Sequence, residues 1–190
     1  MSIVLASASP RRRELLAMLG VENLIVLPAV GEEVFSKEML PSDIVSALSL
    51  AKASEVAAHR SETDVIIAAD TIVVLGGKIL GKPHDKTEAF QMLAALSGKV
   101  HDVYTGVTVI RGDTVYTEYE RTLVRFRNIT EREILAYIET NEPMDKAGAY
   151  GAQGIGSLFV ESIEGDFFNV MGLPLCRLSK MLEKLGVRFI

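Results

Sequence analysis

Residues 64–80 read DVIIAADTIVVLGGKIL, and this stretch decides the fold. Residues 64–75 are dense in β-branched and apolar side chains, interrupted only by Asp70 and Thr71. Gly76 and Gly77 mark a turn, and residues 78–80 return as a short strand. The run 65–69, VIIAA, holds no polar residue, which is the pattern of a central strand covered on both faces. Asp70 closes that run. A carboxylate at the carboxyl end of a central strand lies where open α/β sheets bind their ligands. The ordinary task of such an aspartate is to shape the turn before Thr71, and position alone weighs the two roles equally.

Working outward, residues 3–6 are a short apolar strand, followed by SASPRRRELL at 7–16. Ser9 stands where an N-cap belongs, and Pro10 occupies the first helical position, where its missing N–H is not needed. Arg11, Arg12 and Arg13 then crowd the positive end of the helix dipole, where cations are unfavourable unless an anion joins them. Unpaired helix N–H groups beside guanidinium groups form a phosphate site. A solvated basic turn is the ordinary alternative, but strand, cap, proline and arginines in this order favour phosphate.

The rest of the chain alternates. Residues 24–27 read as a strand, 41–60 as a long helix opened by Ser42 or a neighbour, and 86–96 as a third helix. Residues 103–110 and 114–126 flank Gly112–Asp113 as a β-hairpin. Thr130 and Glu133 have the spacing of a capping box for a helix over 130–140. Residues 158–163 read as a strand and 174–185 as a closing amphipathic helix ended by Gly186. Helices and strands in this order predict an α/β fold, and the hairpin makes its sheet mixed rather than purely parallel. With no repeat, low-complexity tract or linker, residues 1–190 read as one domain.

Composition narrows the function. A net charge of −5 over 190 residues argues against a broad nucleic-acid surface, so basic character must be local. A small anionic substrate fits better than a polymer. Cys176 is the single cysteine, which excludes an internal disulfide and a cysteine-rich zinc site. The three histidines, His59, His84 and His101, lack metal-ligand spacing. No apolar run approaches the ~20 residues of a membrane helix, and no signal peptide is visible, so a cytoplasmic protein is expected.

Four further features carry chemistry. Lys52 falls between Leu48 and Val56 on the apolar arc of its helix, so it must snorkel or meet an anion; Glu55, three residues on, is the competing ion-pair partner. Glu33, in a polar segment, has the hard oxygen that a divalent cation wants, though an exposed loop glutamate is the commoner fate. Lys82 stands between Gly81 and Pro83, which fix the local backbone. Residues 148–156 hold four glycines in nine positions and one polar Gln153, as expected of a loop passing close to a ligand, or of a connection that merely turns tightly. The spacing fits neither a P-loop nor GxGxxG. A polyphosphate with Mg²⁺ and a planar base would use all of these groups.

SASPRRRELL, AADTIVVLGGKILGKPHD, LSGKVHDVYTGV, EPMDKAGAYGAQGIGSLFV and GDFFNVMGLPL together resemble the Maf family, septum formation inhibitor-like proteins that are nucleoside triphosphate pyrophosphatases. The resemblance runs nearly end to end. It implies a twisted mixed sheet flanked by helices, with two lobes around an elongated cleft. The implied reaction cleaves a nucleoside triphosphate between its α and β phosphates, giving the monophosphate and pyrophosphate. Asp70 matches the family's proton acceptor; Ser7, Arg11, Lys52 and Lys82 match phosphate-contacting positions, with Arg12 in the same basic cluster. Glu33 matches the metal-associated acid, and Asp70 is base, metal ligand or both. Arg11, Thr71 and Gln153 match positions tied to base choice. The wording of residues 145–154 resembles the subgroup acting on dTTP and UTP rather than on 7-methyl-GTP. Mg²⁺ is the cofactor expected, with Mn²⁺ as a substitute. The expected partner is a nucleotide, neither a nucleic-acid polymer nor a membrane, and a homodimer is compatible with the family. The role implied is removal of surplus or modified pyrimidine nucleotides. The competing reading is a non-catalytic nucleotide sensor that regulates cell division.

Overall fold

The computed structural model describes residues 1–21, 23–31, 36 and 38–189. Its strands are β1 (Ile3–Leu5), β2 (Ile25–Val26), β3 (Val65–Leu75), β4 (Lys78–Leu80), β5 (Val100–Arg111), β6 (Thr114–Phe126) and β7 (Val160–Glu164). The helices are α1 (Pro10–Met18), α2 (Pro41–Ala57), α3 (Lys86–Leu96), α4 (Glu131–Glu139), α5 (Phe167–Val170) and α6 (Leu175–Lys184). Short 3₁₀ segments cover Glu142–Asp145, Ala147–Ala149 and Ile155–Phe159.

The strands form one seven-stranded sheet in the order β2-β1-β3-β5-β6-β7, with β4 paired to β3. β1 is parallel to β2 and β3, whereas β4 on β3 and β7 on β6 are antiparallel. The sheet is therefore mixed and the fold α/β, as the hairpin predicts. β7 carries a bulge opposite the step from Arg125 to Phe126.

One expectation needs correction. Asp70 does not close its strand: β3 continues without a break through Asp70 and Thr71 to Leu75. What changes there is the neighbour. β1 pairs with β3 only as far as Leu5 opposite Ile67, and β4 joins only from Val73 opposite Leu80. Asp70 thus sits just beyond the carboxyl end of β1, where the parallel partner has left the sheet to begin α1. The strand end that offers a ligand position beside Asp70 is therefore that of β1, not β3.

Local signals set most boundaries. Ser9 caps α1, Asp85 caps α3, and Thr130 with Glu133 closes both halves of a capping box on α4. α2 departs from expectation. Its N-cap is Leu40, with no side-chain bond, and Pro41 fixes the first turn in place of a Ser42 cap. It also ends at Ala57, three residues early, and Leu158 lies in a 3₁₀ turn ahead of β7.

The chain divides into two compact units, Met1–Asp70 with Thr105–Glu120 and Gly172–Ile190, and Thr71–Tyr104 with Arg121–Met171. In the first, Val4, Ile66, Ala68 and Ile110 of the strands, with Ala6 just past β1, pack on Ala53 and Val56 of α2. Gly106 of β5 meets α2 directly, since a β-carbon there would lie 2.1 Å from the Val45 carbonyl oxygen. The second unit is built on aromatic side chains. Phe126, Tyr137, Tyr150 and Phe159 are each at most 5 % exposed and share a cluster with Leu93, Leu96 and Ile134. Among the described residues no helix is long and apolar enough to cross a membrane.

Candidate active site

In the first unit, the turn from β1 into α1 places Ser7 and the arginines. Ala6 N–H bonds to the Ile67 carbonyl at 2.8 Å, so Ser7 leaves the sheet just past Ile67, which precedes Asp70 on β3 by three residues. Ser7 is 8 % exposed. Its Oγ accepts from Ser9 N–H at 3.2 Å and from Arg12 Nη1 at 3.0 Å. Both lone pairs are then engaged, and the hydroxyl proton is left to donate. Arg12 Nε donates to the Gly172 carbonyl at 2.7 Å, so its guanidinium braces Ser7 against the segment ahead of α6. The three arginines therefore divide: Arg12 folds inward, Arg11 is half-buried, and Arg13 is exposed. The first turn of α1 holds no carboxylate to offset the dipole.

Lys52 of α2 forms an ion pair with Asp70 of β3. Asp70 is 7 % exposed, and so is nearly withdrawn from water. A carboxylate held there beside an ammonium is a directed acceptor of fixed orientation. Glu55 is not the partner of Lys52. Its carboxylate accepts from Val30 N–H at 2.8 Å and Gly31 N–H at 3.0 Å. Those two N–H groups hold its carboxyl below the usual carboxylate range. Glu33 lies outside the described residues. Among the described residues no group of three or more His, Cys, Asp or Glu side chains could hold a metal.

In the second unit, Thr71 follows Asp70 on β3 and is half-buried. Lys82 is exposed on the turn after β4, and the adjacent Gly81 carbonyl accepts from Gly148 N–H at 3.0 Å. That bond ties the lysine turn to the glycine-rich loop. Gly148 has φ +68°, and a β-carbon on it would press on Val73 at 3.0 Å. Gln153 of this loop is exposed.

Sequence reasoning missed the groups that hold the loop. Glu142 Oε1 accepts from the Tyr137 hydroxyl at 2.9 Å and from Gly156 N–H at 3.1 Å, and Oε2 accepts from Ile155 N–H at 3.0 Å. The Tyr137 hydroxyl in turn accepts from Gly151 N–H at 3.2 Å. Burial pushes the Glu142 carboxyl up, but these donors and Lys146 outweigh it and leave the group below its ordinary value. Beneath the loop, His101 Nε2 shares a 2.8 Å hydrogen bond with Tyr150. Glu142 opens the motif EPMDKAG, but a glutamate before a proline gives no local sign of which N–H groups it will meet.

The chain matches the family model described as Maf-like protein over residues 2–185. It is 51 % identical over 185 residues to a dTTP/UTP pyrophosphatase of Bacillus anthracis (strain CDC 684 / NRRL 3495), covering 97 % of this chain and 96 % of that protein. The dTTP/UTP pyrophosphatase of Bacillus cereus (strain ATCC 10987 / NRS 248) is also 51 % identical, over 97 % of this chain and 90 % of its own. A solved nucleoside-triphosphatase / dITP/XTP pyrophosphatase from Mycobacterium abscessus aligns at 15 % identity, with TM-score 0.46 and 97 % of both chains covered. On the family match and the 51 % identity to the two Bacillus proteins, the chain belongs to the Maf family.

Proposed function

We propose that this chain hydrolyses dTTP and UTP between the α and β phosphates, releasing the nucleoside monophosphate and pyrophosphate, and that residues 1–190 act as one catalytic domain. The observation that carries this reading is the Asp70–Lys52 pair, set just beyond the end of β1 in the unit that also holds the Ser7–Arg12 brace. Asp70 accepts a proton from the attacking water or orients it. Lys52, Arg11 and the Ser7 hydroxyl donate to phosphate oxygens, and Lys82 adds a further cation for the leaving pyrophosphate. In the second unit, Gln153 offers a donor to a pyrimidine carbonyl and an acceptor to N3–H, while Thr71 joins it in base choice. The 5-methyl group of thymine needs only the absence of a clash, which lets one site take both substrates.

The donor set also suits a divalent cation, Mg²⁺ first and Mn²⁺ as a substitute. Mg²⁺ binds through one or two carboxylates completed by substrate phosphates, and Asp70, with Glu33 by resemblance, supplies that number. When bound, the cation offsets charge on the phosphates of substrate and product. We place the enzyme in the cytoplasm, acting on surplus or modified pyrimidine nucleotides, as a monomer or homodimer.

The test is an incubation of pure protein and Mg²⁺ with dTTP, UTP, CTP, dCTP, ATP, GTP and 7-methyl-GTP, measuring pyrophosphate and orthophosphate separately. Pyrophosphate from dTTP and UTP well above the others is the expected result. Orthophosphate as the product, or activity confined to 7-methyl-GTP, contradicts it. Binding without turnover would transfer the site to a nucleotide sensor of cell division.

A further inference from the structure

We infer that Glu142, clamped by Tyr137, is the positioning residue that sets which base the Gln153 loop accepts. The inference rests on the proposed reading of Gln153 as the residue facing the base. Gln153 is exposed, so its own packing does not fix it. The backbone on either side does. On the amino side, Gly151 N–H donates to the Tyr137 hydroxyl at 3.2 Å; on the carboxyl side, Ile155 and Gly156 N–H donate to Glu142 at 3.0 and 3.1 Å. The same phenol donates to the same carboxylate at 2.9 Å. Both stems of the loop are thus tied to one carboxylate–phenol pair.

The glycines show how closely the backbone is drawn in. A β-carbon on Gly156 would lie 2.6 Å from both the Gly151 carbonyl oxygen and the Tyr137 hydroxyl, and one on Gly154 would lie 2.9 Å from Glu142 Oε2. Gly154 has φ +100° and ψ −154°, a conformation essentially confined to glycine. The anchor itself is rigid. Tyr137 is 2 % exposed, and its ring meets Phe159 edge to face at 5.0 Å. Lys146 Nζ donates to the Glu142 carbonyl at 2.5 Å, which fixes the backbone of the carboxylate as well. An amide side chain discriminates bases only if its donor and acceptor are held at a set angle, so the loop's anchor is also the anchor of selectivity.

Glu142→Gln keeps the shape but places an amide donor against the Ile155 N–H, and Tyr137→Phe removes the shared hydroxyl from a packed ring. Steady-state kinetics with UTP and CTP, and equilibrium binding of UMP and CMP with metal chelated, read the effect for both variants. The expected result is a fall of about 10-fold in the UTP over CTP ratio of kcat/KM and a matching fall in the UMP over CMP binding ratio, while kcat for UTP stays within about 3-fold of the parent. A merely structural role lowers activity on both nucleotides in proportion and leaves the ratios alone; that result overturns the inference. Gln153→Ala separates the two ways of failing. If it leaves the ratios unchanged, the base reading of Gln153 fails and takes the inference with it. If it collapses them while Glu142→Gln and Tyr137→Phe do not, the base reading stands and the positioning role is wrong.

Discussion

The hydroxyl of Ser7 shows how a single side chain is committed before any substrate arrives. Two donors, Ser9 N–H and Arg12 Nη1, engage its oxygen, and its own proton is left to donate. Ser7→Ala removes that donor and the oxygen that accepts from Ser9 N–H and Arg12 Nη1; kcat/KM for dTTP should fall about 10-fold, with a stability loss of about 1–3 kcal/mol by denaturant titration. Lys52→Met withdraws the ammonium from a carboxylate only 7 % exposed. The expected outcome is a fall of about 100-fold in kcat and a loss of about 3 kcal/mol, since a nearly buried ion pair loses one of its two charges. If Lys52→Met keeps full kcat, the pair has no part in the chemistry. Lys52 also shows where sequence reading stops. Periodicity placed it on the inward arc and offered Glu55 as its ion-pair partner, but could not show that Glu55 is engaged by N–H groups 24 and 25 residues away. The choice of partner is made by tertiary structure.

Secondary elements were legible wherever their signals are local. Ser9 and the Thr130–Glu133 box lie within a turn of the helices they start, and each was readable from residue type and spacing. α2 escaped that logic, since Pro41 can open a helix with no capping side chain and Ser42 was a decoy. β3 escaped it in another way. An aspartate and a threonine inside an apolar run look like an end, yet the strand passes through because Lys52 meets the Asp70 charge from a helix and β4 takes up pairing beyond it. Contacts between elements left weaker traces. Gly106 reads as an ordinary strand glycine, yet a β-carbon there would run into the α2 backbone at Val45 and Ser46. Gly106→Ala must push the α2 backbone away, with an expected loss of about 2 kcal/mol and a melting temperature about 4–8 °C lower. An unchanged melting temperature would mean that α2 can yield at that point.

For the molecule as a whole, the mixed α/β architecture was visible in the order of strands and helices, while the sheet order and the split of the arginines were not, because both depend on pairings far apart in sequence. One consequence of folding is a sensitivity to acid. His101 is 1 % exposed, its Nδ1 has no hydrogen-bond partner among the described residues, and burial lowers its pKa to about 4 against a small opposing pull from Asp102. The unfolded chain binds a proton at this site near pH 6.5 and the folded chain only near 4, so stability is full above pH 6.5 and is lost as pH falls from there toward 4. The contribution is on the order of 3 kcal/mol. Melting temperature measured from pH 7 to 4.5 should fall more steeply for the parent than for His101→Gln, which keeps a partner for Tyr150; parallel curves would remove His101 as the cause. The proposed chemistry turns on Asp70, and the decisive experiment is pyrophosphate release from dTTP by the parent and by Asp70→Asn, alongside the affinity of each for a non-hydrolysable dTTP analogue. Turnover should be abolished, by at least about 1,000-fold, with affinity retained within a few-fold. Turnover at the parent rate in Asp70→Asn would contradict that chemistry.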